Sequence, residues 1–321
     1  MLTLKQIYDL GIKLGMNADP RGIKKVNNYL AGTKKEFAEL KPEDKKYFDL
    51  EKLENPYDDC RIHCGDAKAP VKRVLAGIDI GAAEILLATQ LNERGKKIDA
   101  VIGHHPIGNS LAGLHGVMDM IVEVYESLGV PVHVAEKLME ERIKEVGRGV
   151  HPINHHQVID TARILGVNVL NMHTPTDNLV SDFLEKFLAK KKPATVGEIM
   201  KALMEIPEYQ EARKRGAGPS IFAGSPKNKA GKYLVEMTGG TNPSSKVYSE
   251  LSRAGVSTIV GMHMRDDSRD KANEHHMNVI IAGHMSSDSL GMNLYLDELE
   301  KKGVEVIPCS GLIRVSRTKK K

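Results

Sequence analysis

The chain has 321 residues, 41% of them hydrophobic and 27% charged, a make-up that suits a globular protein of two ordinary domains or one large one. Its net charge of +4 comes from 46 basic residues spread among 42 acidic ones, and only 4% of residues are aromatic. A nucleic-acid groove is therefore not indicated, since no basic stretch alternates with stacking rings. No apolar run of about 18 residues is present to cross a membrane, and the N-terminal segment is amphipathic rather than signal-like. Three sparse cysteines, Cys60, Cys64 and Cys309, suit a reducing compartment, so a cytoplasmic protein is expected.

The first fifty residues read as helices, with charged side chains between spaced apolar ones. Val71 to Asp79 reads as a strand, Ala82 to Arg94 as a helix closed by Gly95, and Ile98 to Pro106 as a second buried strand. Strand, helix, strand over this length is a βαβ unit, the building block of parallel sheets. Helical patterns follow over 134–145 and 157–165, separated by Gly147, Gly149 and Pro152. The lysine–proline stretch Lys190 to Pro193 marks a boundary: residues 1–194 form a first α/β lobe with N-terminal helices and a helical insertion, and 195–321 form a second. Thr195 and Glu198 have capping-box spacing for a new helix. Residues 216–231 read as a surface loop. The strand–helix–strand order then recurs. Gly231 to Thr238 runs into Gly239-Gly240, Ser245 to Ala254 is a helix ended by Gly255, and Val256 to Met264 is a strand. A further strand runs from Asn278 to His284, and the basic run Arg317 to Lys321 reads as a solvated tail. The expected fold is α/β: two related lobes, mainly parallel sheets flanked by helices, and a site at the lobe interface.

Thirteen histidines are present, several in pairs, and their placement matters more than their number. His104 and His105 follow an apolar strand and precede Pro106, which ends a central ladder. They emerge at the carboxyl edge of a parallel sheet, where ligands bind in open α/β folds. Neighbouring strand residues point to opposite sides, so two metals taking one histidine each fits better than one metal taking both. In His173-Thr-Pro-Thr-Asp177, Thr174 is positioned to cap a helix that has Pro175 at its first turn and Asp177 just after. In His284-Met-Ser-Ser-Asp288, histidine sits at a strand end and the acid in the first turn of a helix. Each acid alone is equally well read as an anion favouring a helix dipole. Three strand ends that each present a histidine weigh toward a shared metal site with ligands His104, His105, Asp177, His284 and Asp288. Imidazoles and carboxylates without thiolate suit two divalent ions, Zn, Mn or Fe. His173 is a sixth ligand or a partner that orients Asp177.

Gly103-His-His-Pro106, His173-Thr-Pro-Thr-Asp177 and Gly283-His-Met-Ser-Ser-Asp288, in that order, resemble the motifs of the Nif-three-like family, whose members are also called GTP cyclohydrolase type 2 homologues. Asp59-Cys-Arg-Ile-His-Cys-Gly-Asp66 is similar to a turn before that family's first strand, and Gly239-Gly240 to its glycine-rich turn. The resemblance spans roughly residues 50 to 315. It implies a two-lobed α/β fold, a dinuclear metal centre held by the same five residues, and a ring-like homohexamer. The family has Glu where this chain has Asp288, one methylene shorter, and its connection corresponding to His105–His173 is shorter. That stretch here carries His151, His155 and His156, read as surface or loop residues.

The function expected from this reading is a metal-dependent hydrolase acting on a small nucleotide-like or phosphoester substrate. The alternative is a non-catalytic regulatory or scaffold protein that binds metal and assembles as a ring. Other patterns are weaker. Gly77-Ile-Asp-Ile-Gly81 is similar to a phosphate-loop start without the motifs that accompany one. Gly239 to Lys246 lacks Walker spacing, although a helix start there could take phosphate. Cys60, His63 and Cys64 lack a fourth ligand, and Asp266, Asp267, Asp270, His275 and His276 read as a solvated helix face.

Overall fold

The computed structural model describes residues 1–318. Two sheets organise the chain. The first has the order Glu305–Pro308, Arg73–Gly77, Ala100–Gly103, Val169–Asn171 and Arg61–Cys64. Its strands are parallel except for the last, which pairs antiparallel at the edge. The second has the order Ser220–Ala223, Asn278–Ile281, Val256–Gly261 and Lys232–Glu236, parallel except for its first strand. The βαβ order read from both halves of the chain is thus present in both sheets.

These segments are strands because β-branched residues occupy positions buried on both faces, the pattern of a helix-covered parallel sheet. Successive residues alternate between faces. Val74, Ile102 and Leu170 of the first sheet share one core with Leu234, Ile259 and Val279 of the second, so the lobes meet through a common apolar interior. Leu75, Val101 and Val169 pack on the other side with Ile85, Ala88 and Ala162 of the helices Ala82–Glu93 and Gln157–Leu165. Val235, Val260 and Ile280 face Val180, Leu184 and Ile199 of the helices Thr174–Lys191 and Val196–Leu203.

Two long helices, Thr174–Lys191 and His284–Lys301, cross in contact behind the strand ends. Their approach is unusually close at Gly291. A Cβ there would lie 2.9 Å from the Thr176 carbonyl carbon and nearer still to its oxygen, so only glycine lets the backbones meet. This crossing sets the distance between Asp177, next to Thr176, and Asp288, one turn before Gly291.

Several expectations need correction. The loop read over 216–231 contains the edge strand Ser220–Ala223, too short and too polar in its surroundings to signal itself. The helix Val132–Val150 runs through Gly147 and Gly149, because packing outweighs the glycine cost of about 1 kcal/mol. The strand Glu305–Pro308 returns to the first sheet, so a division at residue 194 does not separate the two sheets. Of the basic run at the C-terminus, Lys319 to Lys321 lie outside the described residues. Arg317 is no free tail, since its guanidinium donates to both oxygens of buried Glu208 at 2.7 Å each.

Candidate metal centre

Three strand ends converge. Ala100–Gly103 delivers His104 and His105, and the adjacent strand Val169–Asn171 leads through Met172 and His173 into the helix bearing Asp177. Asn278–Ile281, in the other sheet, leads through Gly283 into the helix that begins at His284 and carries Asp288. The cluster therefore takes side chains from both sheets, at their carboxyl edges.

His104 is 1% exposed. Its Nδ1 lies 2.9 Å from Thr176 Oγ1, and its Nε2 is 3.5 Å from both Asp177 Oδ1 and Asp288 Oδ1. His105 is held at Nδ1 by Asp79 Oδ1 at 2.7 Å, and its Nε2 is 3.4 Å from Asp288 Oδ2 and 3.3 Å from His284 Nε2. His284 Nε2 is also 3.4 Å from Asp288 Oδ2. The Asp288 carboxylate thus faces two ligand sets, one oxygen toward His104 and Asp177, the other toward His105 and His284. Despite being one methylene shorter than Glu, it has the reach to serve both.

Each of three trios has donor atoms within 4.8 Å of one another: His104, Asp177 and Asp288; His105, His284 and Asp288; His104, His105 and His173. His104 Nε2, Asp177 Oδ1 and both Asp288 oxygens are buried without a hydrogen-bond partner. Leaving such groups unpaired costs several kcal/mol, which a bound cation would remove. The spacing also fits, because donors about 2.1 Å from a tetrahedral ion lie about 3.4 Å apart. The residues present can therefore hold metal.

The electrostatics separate the two acids. Burial raises Asp288, but His104, His105 and His284 outweigh it and hold the carboxyl well below the usual range. Asp177 is pushed well above that range by burial and by the charges of Asp288 and Asp59. Burial lowers His284 below the ordinary imidazole value, while for His105 Asp288 and Asp79 outweigh burial and the net shift is upward. A neutral imidazole is the ligating form.

The five expected ligands are brought together, with His173 beside them. Two local readings change. The helix starts at Thr174 with His173 in the capping position, and Thr174 Oγ1 donates to Asp59 Oδ2 instead of capping. Asp288 is not in a first turn, because the helix starts at His284. The dipole explanation for that acid falls away, and His284 and Asp288 form an i, i+4 pair facing the cluster. His151 and His156 are exposed and His155 bonds the Val150 carbonyl, away from the cluster. Cys60 and His63 turn to Asp59 and Asn171, and no metal-holding trio includes Cys60, His63 or Cys64 among the described residues. Asp266, Asp267, Asp270 and His276 are exposed and His275 partly so, as expected of a solvated face.

Three residues were missed from sequence. Asp59 is fully buried and accepts from His173 Nδ1 at 2.7 Å; its motif was visible but its role was not. Asp79 fixes His105 in the same manner. These carboxylate–histidine pairs orient ring nitrogens toward a metal. His263 lies with its ring centroid 4.6 Å from that of His284, and burial followed by the His284 charge lowers it to about 4. Its position after the strand Val256–Gly261 was the only available signal.

Fold and site together define a two-lobed α/β protein whose lobes present between them a histidine–aspartate cluster able to hold metal. No family model and no curated protein matches the chain. Among solved structures, a NIF3 superfamily protein from Sphaerobacter thermophilus is 29% identical with a TM-score of 0.70, over 79% of this chain and 92% of that one. HcgD from Methanocaldococcus jannaschii in its reduced form is 15% identical with a TM-score of 0.49, over 83% of this chain and 94% of that one. In sequence and fold the chain is similar to the NIF3 superfamily. Among the described residues, no helix is long and apolar enough to cross a membrane.

Proposed function

We propose that the cluster holds two divalent ions, Zn, Mn or Fe, and that the protein is a metal-dependent hydrolase. The observation that carries this is the set of four buried, unpaired donor atoms on His104, Asp177 and Asp288, arranged so that Asp288 serves both ligand sets. Divalent ions there would supply Lewis acidity and activate water near neutral pH. A reaction site is favoured over a closed metal store because the cluster has an open side. The side chains of His105 and His284 keep 23% and 40% exposure, and His105, His173, Asp177 and His284 line a cavity of about 300 Å³. Asp59 and Asp79 hold Nδ1 of His173 and His105, so that Nε2 of each faces inward. His263, outside every metal-holding trio among the described residues, lines the cavity and, lowered to about 4 by burial, stays a neutral imidazole that can hydrogen-bond a ligand. A homohexameric ring in the cytoplasm belongs to the same proposal and is checked by sedimentation.

The test is metal content by elemental mass spectrometry on protein purified without chelator, beside a His104→Ala/Asp177→Ala double variant. About two equivalents in the wild type, lost from a still-folded variant, support the reading. No bound metal, and no uptake on addition, would sink it.

A further inference from the structure

The cavity beside the cluster has a second character. Away from the histidines its walls are apolar, built by Leu111, Ile121, Val124, Leu234, Met237 and Met262. Among the described residues no lysine or arginine lines it, while Asp177, Glu185 and Glu236 do. Sites for nucleotides and other phosphates place guanidinium, ammonium or a helix start against the phosphate oxygens. Here a polyphosphate would bring negative charge to carboxylates with no basic side chain to meet it.

The glycine-rich turn at this cavity is closely packed. Gly239 and Gly240 have φ of +107° and +82°, and a Cβ on them would lie 2.5 Å from Ile121 Cγ1 and 2.7 Å from Val117 Cγ1. These glycines let the turn pack on the inserted helices Leu114–Val117 and Met120–Leu128, whose Val117 and Ile121 side chains press against it. The helix after the turn, Val247–Arg253, is too short to offer an anion site.

Glu236 supplies the recognition element. Its Oε1 accepts from Tyr125 at 3.0 Å and its Oε2 from Tyr248 at 2.9 Å, leaving each oxygen a free lone pair and the group without a basic partner. It is half-buried and lines the cavity, so that its remaining acceptor capacity is open to a ligand. Building on the metal-hydrolase reading, we infer that the cavity takes an apolar organic molecule carrying an amine or amide N–H donor for Glu236, and not a nucleoside polyphosphate. The apolar body lies along the inserted helices, and the bond to be cleaved lies toward His105, His173 and His284. A largely apolar wall with a few placed polar groups is the usual make-up of such a site.

The experiment titrates the full chain with 4-phenylbutylamine and with GTP by calorimetry, once loaded with Mn²⁺ and once stripped by chelator. The amine is expected to bind both forms, Glu236→Gln to weaken it roughly tenfold, and GTP to bind at most the loaded form. Val124→Trp, which fills the cavity, is expected to abolish amine binding while metal uptake persists; it serves alone if the Glu236 variant does not fold. GTP binding the stripped protein as tightly as the amine overturns the inference. So does amine binding that is absent, that requires the metal, or that both variants leave unchanged. Failure of the metal reading is distinguishable, because it leaves amine binding intact with no uptake of Mn²⁺.

Discussion

Replacing Gly291 by alanine tests how the fold sets the spacing of the site. In a helix interior the change alone stabilises by up to about 1 kcal/mol. Here the new methyl would sit 2.9 Å from the Thr176 carbonyl carbon, where ordinary contact begins at 3.4 Å, so the helices must part by about 0.5 Å or more. The obstacle is backbone, which cannot rotate away, and overpacking of this kind costs about 1–3 kcal/mol. The clash offsets or exceeds the propensity gain, and a net loss of up to about 2 kcal/mol is expected. Parting the helices also separates Asp177 from Asp288, whereas metal ligation tolerates only about 0.2 Å. Gly32, in the helix Ile23–Glu39, is the control: nothing lies within 4 Å of the place its methyl would take, and its alanine variant should gain up to about 1 kcal/mol. The assay is urea unfolding of both variants in chelator, followed by competitive titration of Mn²⁺ or Zn²⁺. A Gly291→Ala protein as stable as Gly32→Ala, or one that binds metal as tightly as the wild type, refutes this account of the spacing.

Three further outcomes follow from the same structure. Asp59→Asn removes the charge that holds His173 Nδ1 at 2.7 Å, and metal affinity should fall roughly 10–100-fold with little change in fold, read by chelator competition. His63 is lowered to about 4, chiefly by burial, so between pH 6.5 and 4 the unfolded chain binds a proton that the folded chain refuses. Stability should fall by about 3 kcal/mol as pH drops through that window and level off below it; a wild-type slope identical to that of His63→Gln counts against this. Arg317→Ala strands the buried Glu208 carboxylate with Asn293 as its remaining side-chain donor among the described residues and should cost about 3–5 kcal/mol in denaturant unfolding. A loss below about 1 kcal/mol would mean that solvent reaches Glu208.

Much of the architecture was legible because its signals are local. Buried runs such as Val74 to Ala76 and Val279 to Ile281 announce strands through β-branched content, and Gly95 and Gly255 announce helix ends through the left-handed backbone only glycine adopts cheaply. The histidines were legible as ligand candidates for the same reason: each lies within three residues of a strand end, and strand ends in parallel sheets face a cleft. What stayed hidden depends on pairs distant in the chain. Ser220–Ala223 becomes a strand only because Asn278–Ile281 offers it an edge, and Glu305–Pro308 crosses to the first sheet only because Arg73–Gly77 has a free side. Asp59 lies 114 residues from His173, and no local pattern ties a carboxylate to an imidazole over that separation.

The amino-acid sequence by itself thus determined which side chains could act as ligands and which elements would carry them, since both follow from nearest-neighbour chemistry and periodicity. Only the tertiary structure decided that Asp288 turns one oxygen to each ligand set, that Asp59 and Asp79 aim His173 and His105, and that a largely apolar cavity adjoins them, lined by no lysine or arginine among the described residues. Those relations arise where two helices cross at Gly291 and inserted helices close on Gly239 and Gly240. Such contacts are between segments far apart in sequence, so their distances exist only once the chain has folded.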